Sequence, residues 1–246
     1  MNNIPYHTFP GLALPFLQHG IFTRQGGVSP APFDSLNVGL TVGDPLPHVG
    51  ENRRRIKQAL GFEKMVAARQ VHGTKVSVVE KPPAADLEID GCDVLLTDVA
   101  GIGLMIQQAD CQAILLADPV RRAIAAVHCG WRGSAANIVE AAVLTMRQAF
   151  GSRPVDLLAA ISPALGPCCA EFRHYRSELP PALHAYQSKP GYFDFWAISR
   201  AQLQALGLQP DRIEIAGRCT VCHGEFFSYR RDKITGRHAS VIGIRA

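Results

Sequence analysis

A chain of 246 residues with 47% hydrophobic and 19% charged residues is long enough to bury a sizeable core, and we expect one domain over residues 1–246. The formal net charge of +4 comes from basic residues spread along the chain, which argues against nucleic-acid binding and suits a small anionic substrate. No run approaches the roughly 18 apolar residues of a membrane span, and the N-terminal segment lacks a basic start, so we expect a cytoplasmic protein.

The first ninety residues alternate turn-rich segments with short elements. Glycines and prolines in the segment 19–44 predict short strands and turns. A helix is predicted over 52–60, and strands are predicted over 65–68 and 76–79. The polar segment 81–91 contains two prolines and predicts turns.

The middle of the chain has the pattern of a buried sheet followed by a helix. Mostly apolar runs predict consecutive strands over 93–97, 103–107, 112–117 and 123–128. Apolar residues then recur at helical spacing over 134–150, where Ser134 can cap the start and Gly151 can end the helix.

The last hundred residues are less regular. Strands are predicted over 155–161, 213–216 and 241–244, and a helix over 197–206. The segment 171–195 gives no clear prediction, although Pro180 and Pro181 exclude one long helix through it. With no internal repeat and no linker, the pattern indicates an α/β fold in one domain.

One cysteine and two histidines lie at the ends of predicted strands. Cys111 directly precedes the run 112–117, His128 ends the run 123–128, and His72 lies in QVHG between two other strands. Consecutive strands often lie side by side. One thiolate and two imidazoles with an open fourth position are typical of catalytic zinc. The spacing matches no short zinc motif, so on spacing alone the alternative of a packed thiol and ordinary polar histidines is favoured.

The other cysteines that attract attention lie in two short motifs. CTVCHGEF contains Cys219, Cys222 and His223, and GPCC contains Cys168 and Cys169. The HGE triplet resembles the H-x-E of zinc nucleobase deaminases, but there H-x-E precedes the cysteine pair, and here the order is reversed. Adjacent cysteines on a regular helix cannot both point into one site. We therefore expect packed thiols rather than a structural metal. Seven cysteines in all, an odd number, favour free thiols over disulfides.

Two arginine-containing segments are candidates for binding an anion. The turn GWRG, with Arg132, precedes the helix predicted over 134–150, so backbone N–H groups and the guanidinium could hold phosphate. The alternative, a tight turn with Arg132 in solvent, has equal weight on these residues alone. In FFSYRRDKITGR, Arg230 and Arg231 either reach a substrate or remain solvated.

Together the ordered motifs resemble the YfiH family over nearly the whole chain. The motifs are FTRQGG (22–27), SLNVG (35–39), GD (43–44), ENR (51–53), QVHG (70–73), ADC (109–111), HCGWRG (128–133), GP (166–167), CT (219–220) and FFSYRRDKITGR (226–237). That family was formerly called the multicopper polyphenol oxidase or laccase domain, and is also linked to peptidoglycan editing. It is now associated with purine nucleoside phosphorylase and adenosine deaminase activity.

The resemblance implies both a fold and a metal site. The implied fold is a single mixed-sheet α/β sandwich domain with helices flanking the sheets. The implied cofactor is Zn²⁺, with copper as a weaker alternative, and its ligands and catalytic centre would be His72, Cys111 and His128. The family commonly has alanine at position 129. Because neighbours on a strand face opposite ways, Cys129 is not expected to be a ligand.

The resemblance also implies substrates. These are phosphate and the purine nucleosides adenosine, inosine, guanosine or methylthioadenosine for phosphorolysis, and adenosine for hydrolytic deamination. Arg24, Arg132 and Arg230 are candidates to hold phosphate, and Asn37 is a candidate to contact the ribose or base. Asp93 and Asp110 are the carboxylates nearest in sequence to the motifs, and neither is assigned the proton transfer.

Three alternatives remain open at the level of sequence. A copper laccase is disfavoured, because multicopper sites use many histidines in H-x-H pairs, and the nine histidines here form no such pair. A thiol hydrolase would use Cys111 as nucleophile with His72 or His128 as base. A non-enzymatic factor that binds a nucleotide or a cell-wall precursor is the third.

Overall fold

The strands within residues 4–246 divide between two six-stranded sheets and one small hairpin. The structure, a computed structural model, describes residues 4–246, so residues 1–3 of the predicted domain lie outside the described residues. In chain order the strands are β1 (Tyr6–His7), β2 (Leu17–Phe22), β3 (Lys64–Arg69), β4 (Val76–Val78), β5 (Leu87–Asp90), β6 (Val94–Thr97), β7 (Ile102–Gln108), β8 (Gln112–Asp118), β9 (Ala123–Cys129), β10 (Leu158–Ile161), β11 (Gln187–Lys189), β12 (Tyr192–Phe193), β13 (Ile213–Ile215) and β14 (His238–Ile244).

Six α-helices and four 3₁₀-helices connect these strands within the described residues. The α-helices are α1 (Leu46–Leu60), α2 (Trp131–Ala135), α3 (Ile138–Phe150), α4 (Tyr175–Glu178), α5 (Phe195–Ala205) and α6 (Tyr229–Asp232). The 3₁₀-helices are Pro10–Leu12, Pro154–Asp156, Pro181–Tyr186 and Pro210–Arg212, and each starts with a proline, whose fixed φ suits the first turn. No helix within residues 4–246 has the length and apolar character needed to cross a membrane.

Both large sheets are mixed. The first has the order β1-β2-β14-β7-β3-β5, and the second has the order β13-β10-β8-β9-β6-β4. In the first sheet β3 is parallel to β5 and β7, and β14 is antiparallel to both of its neighbours, β2 and β7. In the second sheet β8 and β9 are antiparallel, and the pair β4 and β6 is parallel. β14, the last strand in chain order, therefore lies inside its sheet.

The two sheets pack face to face and carry helices on their outer faces. Leu104 of the first sheet and Leu115 of the second share the core between the sheets. Ile56 of α1 packs on the outer face of the first sheet, and Val143 of α3 and Leu203 of α5 pack on the outer face of the second. The result is the predicted α/β class, with a sandwich of mixed sheets between flanking helices.

Burial on both faces explains why the central strands were predicted from sequence. Every residue of β8 and β9 is buried. A strand covered by a second sheet on one side and a helix on the other has no solvent-facing position, so it reads as a continuous apolar run. The strands predicted over 103–107, 112–117 and 123–128 are confirmed, each with one or two further residues.

Two predictions in the first ninety residues were wrong in part. The helix predicted over 52–60 begins at Leu46, because Val49 and Ile56 continue one buried face across Gly50. Gly61, at φ 72°, ends it. The segment 81–91 is not only turns, since it contains β5, whose alternating sequence LEID pairs in parallel with β3.

The helix predicted over 134–150 is interrupted. α2 ends at Ala135 and α3 begins at Ile138, because Asn137 between them takes a left-handed conformation with φ 52°. Ser134 lies inside α2 and caps nothing, whereas Gly151 ends α3 at φ 70° as predicted. Asparagine is one of the few residues that tolerate this conformation.

The remaining elements differ mainly at their starts. The strand predicted over 155–161 begins at Leu158, because the turn at Pro154 precedes it. α5 begins at Phe195, two residues before the predicted start, where the Asp194 side chain accepts the Ala197 N–H at 2.9 Å. The segment 171–195, left without a prediction, holds α4, a 3₁₀-helix and the β11–β12 hairpin.

Candidate metal centre

His72, Cys111 and His128 meet where β8 begins and β9 ends. Each residue offers a ligand atom, and these atoms lie within 4.8 Å of one another. Cys111 Sγ is 3.9 Å from His72 Nε2, and the two imidazole rings are nearly perpendicular with centroids 4.8 Å apart. Sulfur and nitrogen ligands on one tetrahedral ion, with bonds of about 2.3 and 2.1 Å, are about 3.6 Å apart. The donor set and its spacing therefore fit one divalent ion.

Asp93, which is fully buried, positions two of these three residues. Its Oδ1 accepts the His128 Nδ1–H at 2.8 Å and the His72 backbone N–H at 2.9 Å. Its Oδ2 accepts the backbone N–H groups of Val71 at 3.2 Å and Gly73 at 2.9 Å. The bond to Nδ1 leaves His128 Nε2 as the ligand atom, which is the usual role of a carboxylate behind a metal-binding histidine.

The backbone makes room for the cluster at two points. His72 has φ 60°, a left-handed conformation that the three N–H bonds of the 71–73 loop to Asp93 hold in place. A Cβ on Gly130 would lie 2.9 Å from Cys111 Sγ and 3.3 Å from His72 Cδ2. A side chain at position 130 would therefore push into the cluster.

The electrostatics favour a thiolate at Cys111. Burial alone would raise the pKa of this thiol, but the adjacent His128 and His72 outweigh burial and lower the pKa to about 6. Burial opposes the charge on His128 as well, but Cys111 and Asp93 outweigh it and raise the imidazole pKa to about 9. Although burial acts against it, hydrogen bonds from His128 and the loop amides hold the pKa of Asp93 below its usual range. The thiolate is the form of cysteine that binds metals.

Asp110 anchors the loop that carries Cys111. Its carboxylate accepts hydrogen bonds at 2.6 Å from the hydroxyls of Thr220 and Ser228 and from the Arg230 backbone N–H. Its φ of 87° is left-handed. Both carboxylates nearest to the sequence motifs, Asp93 and Asp110, are thus engaged in positioning neighbouring groups.

A cavity of about 550 Å³ opens on the three residues. This volume lies within the range of small-molecule sites. The rings of Trp131, Phe172 and Phe195 lie against one another in its lining. The lining also contains Tyr229 and the cationic side chains of Arg69, Arg230, Lys233 and Arg237. The cavity therefore offers rings for stacking and guanidinium groups for an anion, next to the metal-ligand cluster.

Of the residues predicted to bind substrate, Arg230 lines the cavity. Its Nη1 donates to the carbonyl oxygens of Cys169 at 3.3 Å and Glu171 at 3.1 Å, so the guanidinium is fixed against the 169–171 segment. Arg231, its neighbour, instead donates to backbone carbonyls including that of Thr220 at 2.7 Å.

The structure does not bring Arg24, Asn37 and Arg132 into the cavity lining. Arg24 pairs with Asp34 at 3.1 Å. Asn37 is fully buried, and its Nδ2 donates to Asp44 at 2.8 Å while its Oδ1 accepts the backbone N–H of residue 237. Arg132 is exposed, with its guanidinium 4.4 Å from the Trp131 ring centroid. Cys129 packs in the core under α3, on the face away from the cluster.

Sequence reasoning missed Arg237, Phe172 and Phe195. Arg237 is the last residue of the FFSYRRDKITGR motif, in which the sequence indicated Arg230 and Arg231 as the candidates. Burial lowers the pKa of Arg237, while the nearby Cys111 and Asp110 act in the opposite direction. Its Nη1 donates to the carbonyls of residues 235 and 236 at 3.0 Å. Within residues 4–246, neither the Nε–H nor the Nη2–H groups of Arg237 donate to an acceptor. This edge of the guanidinium can therefore donate hydrogen bonds to a ligand.

Comparison with known proteins agrees with the fold and the motifs. Residues 18–245 match the family model described as multi-copper polyphenol oxidoreductase laccase. The chain is 37% identical over 245 residues to the purine nucleoside phosphorylase YlmD of Geobacillus stearothermophilus, covering 92% of this chain and 89% of that protein. It is 35% identical over 232 residues to the purine nucleoside phosphorylase YfiH of Escherichia coli, covering 89% and 90%.

Solved structures show the same fold. The crystal structure of the Bacillus licheniformis hypothetical protein YfiH has a TM-score of 0.85 at 30% identity, covering 98% of this chain and 99% of that one. The crystal structure of YlmD from Geobacillus stearothermophilus has a TM-score of 0.85 at 35% identity, covering 97% and 94%.

Proposed function

This chain belongs to the YfiH family, whose model is described as multi-copper polyphenol oxidoreductase laccase, and we propose that it is a purine nucleoside phosphorylase in which His72, Cys111 and His128 bind Zn²⁺. The observation that carries the proposal is the meeting of these three residues with aromatic and arginine side chains around one cavity. Relatives named purine nucleoside phosphorylase support the reaction class.

Different residues of the cavity would bind the two substrates of phosphorolysis, the purine nucleoside and phosphate. Phe172, Phe195 and Trp131 offer faces on which a purine can stack. Arg230 and Arg237 would hold phosphate through charge-assisted hydrogen bonds, with Arg237 contributing its open edge. Phosphate then attacks the ribose C1′, the bond from C1′ to the purine nitrogen breaks, and the base leaves with the bonding electrons.

Zinc is proposed over copper on the donor set. One thiolate and two imidazoles are typical zinc ligands. The two possible metal clusters within residues 4–246 contain two histidines in total, His72 and His128, and multicopper centres are rich in histidine. When bound, Zn²⁺ would supply a Lewis acid at neutral pH.

Two further features belong to the proposal. Hydrolytic deamination of adenosine would use the same cavity, so adenosine would give inosine without consuming phosphate. Because the two sheets share one core and the seven cysteines are free, we also propose a single domain and a cytoplasmic location.

A product assay tests the proposed function. Zinc-loaded protein is incubated with adenosine, with and without phosphate, and the products are separated by chromatography. Adenine and ribose 1-phosphate that form only with phosphate support phosphorolysis, and inosine in both samples supports deamination. Absence of all three products would reject the purine nucleoside enzyme and leave the thiol hydrolase and the nucleotide or wall-precursor binding factor as alternatives.

A thiol hydrolase is the second candidate, because the pKa of Cys111 is lowered to about 6. Iodoacetamide separates the two candidates. If zinc is bound, it shields Cys111 from alkylation until a chelator removes it. The hydrolase would be favoured if metal-free protein is fully active and its Cys111 is alkylated rapidly.

Replacing Arg237 by glutamine is expected to raise the KM for phosphate by about 10- to 100-fold, because a hydrogen bond between charged groups contributes about 1.5–3 kcal/mol. Steady-state rates at varied phosphate concentration give the KM. Arg173→Gln is the matched control, since the Arg173 side chain is 78% exposed and pairs with Glu171 at the surface. Equal KM values for phosphate in the two variants would show that Arg237 does not bind phosphate.

A further inference from the structure

Four cysteines outside the cavity lining converge at the surface. Cys168, Cys169, Cys219 and Cys222 each place Sγ within 4.8 Å of the others. Cys222 Sγ is 3.7 Å from the Sγ atoms of both Cys168 and Cys169. The group, here called the four-cysteine cluster, joins the loop after β10 to the loop after β13.

The adjacent pair can share a site because it does not lie on a helix. Residues 167–169 form a turn, in which Cys169 donates its backbone N–H to the Gly166 carbonyl at 2.9 Å. The expectation that Cys168 and Cys169 point to different sites assumed regular helix geometry, and it was wrong for this turn. Cys219 and Cys222 of CTVCHGEF therefore have two further sulfur atoms beside them, from Cys168 and Cys169.

The sulfur spacing fits one ion rather than a cluster of ions. Four thiolates on a tetrahedral ion with bonds of about 2.3 Å are about 3.8 Å apart. Cys222 Sγ lies 3.7 Å from two of its partners, and all four sulfurs lie within 4.8 Å of one another. An iron–sulfur cluster distributes its thiolates over several iron atoms, which holds the sulfurs farther apart. Sulfur-only donor sets in tetrahedral geometry select soft or borderline ions, with zinc the commonest structural choice.

The backbone around the cluster is already organised. The Gly166 N–H donates to Cys219 Sγ at 3.3 Å, which stabilises negative charge on that sulfur. Ala164 and Cys219 form an isolated parallel bridge, and Thr220 N–H donates to the Ala164 carbonyl at 2.9 Å. The two loops are thus held in register without the side chains.

We propose that the four-cysteine cluster is a second metal site, which binds a structural Zn²⁺ and clamps the two loops together. Leu165 and Phe172, on either side of the Cys168–Cys169 turn, line the cavity, and Arg230 bonds the Cys169 carbonyl. The ion fixes this wall of the cavity. The inference rests on the sulfur geometry and holds whichever reaction the cavity performs.

The test counts zinc in full-length variants purified under reducing conditions with added Zn²⁺. Mass spectrometric metal analysis is expected to give two zinc ions per wild-type chain and one per chain in Cys111→Ala, which loses the first centre. Cys222→Ser removes the ligand that contacts both Cys168 and Cys169, and it is expected to retain one zinc. Cys92→Ser changes a buried cysteine outside both clusters and is expected to retain two.

X-ray absorption on Cys111→Ala keeps the proposal testable even if Cys222→Ser fails to fold. The expected spectrum shows zinc with four sulfur neighbours at about 2.3 Å. Zinc-free Cys111→Ala protein would overturn the proposal, as would a disulfide from Cys222 to Cys168 or Cys169 in the reduced, zinc-treated protein. Bound zinc with mixed nitrogen and sulfur neighbours would also overturn it.

Discussion

Replacing Cys111 by alanine is expected to remove the zinc of the first centre and to lower kcat/KM for adenosine phosphorolysis by about 10³-fold or more. Cys111 is the only thiolate of that centre, and two imidazoles alone bind zinc much more weakly than the complete set. A catalytic metal contributes several kcal/mol of charge stabilisation, and each 1.36 kcal/mol corresponds to about tenfold in rate.

The measurement pairs zinc content with steady-state kinetics. Cys92→Ala, which alters a cysteine that lies in the core between the sheets and belongs to neither cluster, is the control and should keep the wild-type kcat/KM. His72→Ala keeps the thiol and weakens zinc binding, so recovery of its activity on addition of excess Zn²⁺ would support the metal over a thiol nucleophile that uses His72 as base. If Cys111→Ala keeps the wild-type kcat/KM for phosphorolysis, this centre does not take part in the reaction.

Asp93→Ala is expected to reduce the free energy of unfolding by about 3–5 kcal/mol, because it leaves His128 and three loop amides without their buried acceptor. The zinc affinity should also fall by about 10- to 100-fold, since loss of a carboxylate behind a ligand histidine has an effect of that size. Denaturant unfolding and zinc competition titrations measure the two effects.

Asp90→Ala is the matched control for Asp93. Asp90 is 72% exposed and pairs with Arg69 at the surface, so its removal should change the unfolding free energy by less than about 0.5 kcal/mol. Because the folded pKa of Asp93 lies below its usual value, its contribution is present above about pH 3.9 and is lost as the pH falls below that value. Asp93→Ala should therefore show a weaker loss of stability in that acid range, and equal acid profiles would contradict the assigned role.

The parts of the fold that could be predicted from the sequence are the buried strands, because burial on both faces makes a strand a run of apolar residues. β7, β8 and β9 each contain a run of at least five residues without a polar side chain, because both faces of these strands are covered. β5 was missed because it borders its sheet and its four residues, LEID, sit in a polar segment. The break at Asn137 was missed because the apolar spacing continues across it, and one residue with positive φ does not disturb a pattern of side chains.

The site divides in a similar way. The structure brings His72, Cys111 and His128 together as the ordered motifs of the family imply, whereas spacing alone gave no reason to prefer a metal. The side chains of Arg24 and Asn37 lie in equally recognisable motifs but bond the backbone of neighbouring loops. A motif alone does not distinguish a side chain that faces a ligand from one that bonds the backbone. The four-cysteine cluster depends on a turn at 167–169 that no periodicity reveals.

The interior position of β14 determines when the first sheet can form during protein synthesis. Without β14 that sheet is two separate pieces, β1–β2 and β7–β3–β5, and β14 leaves the ribosome after all the other strands of both sheets. Until then β2 and β7 each present an unpaired edge, which is the kind of surface that pairs wrongly with other chains. All strands of the second sheet precede β14. They can pair on the nascent chain, while the first sheet closes in one late step after residues 238–244 emerge.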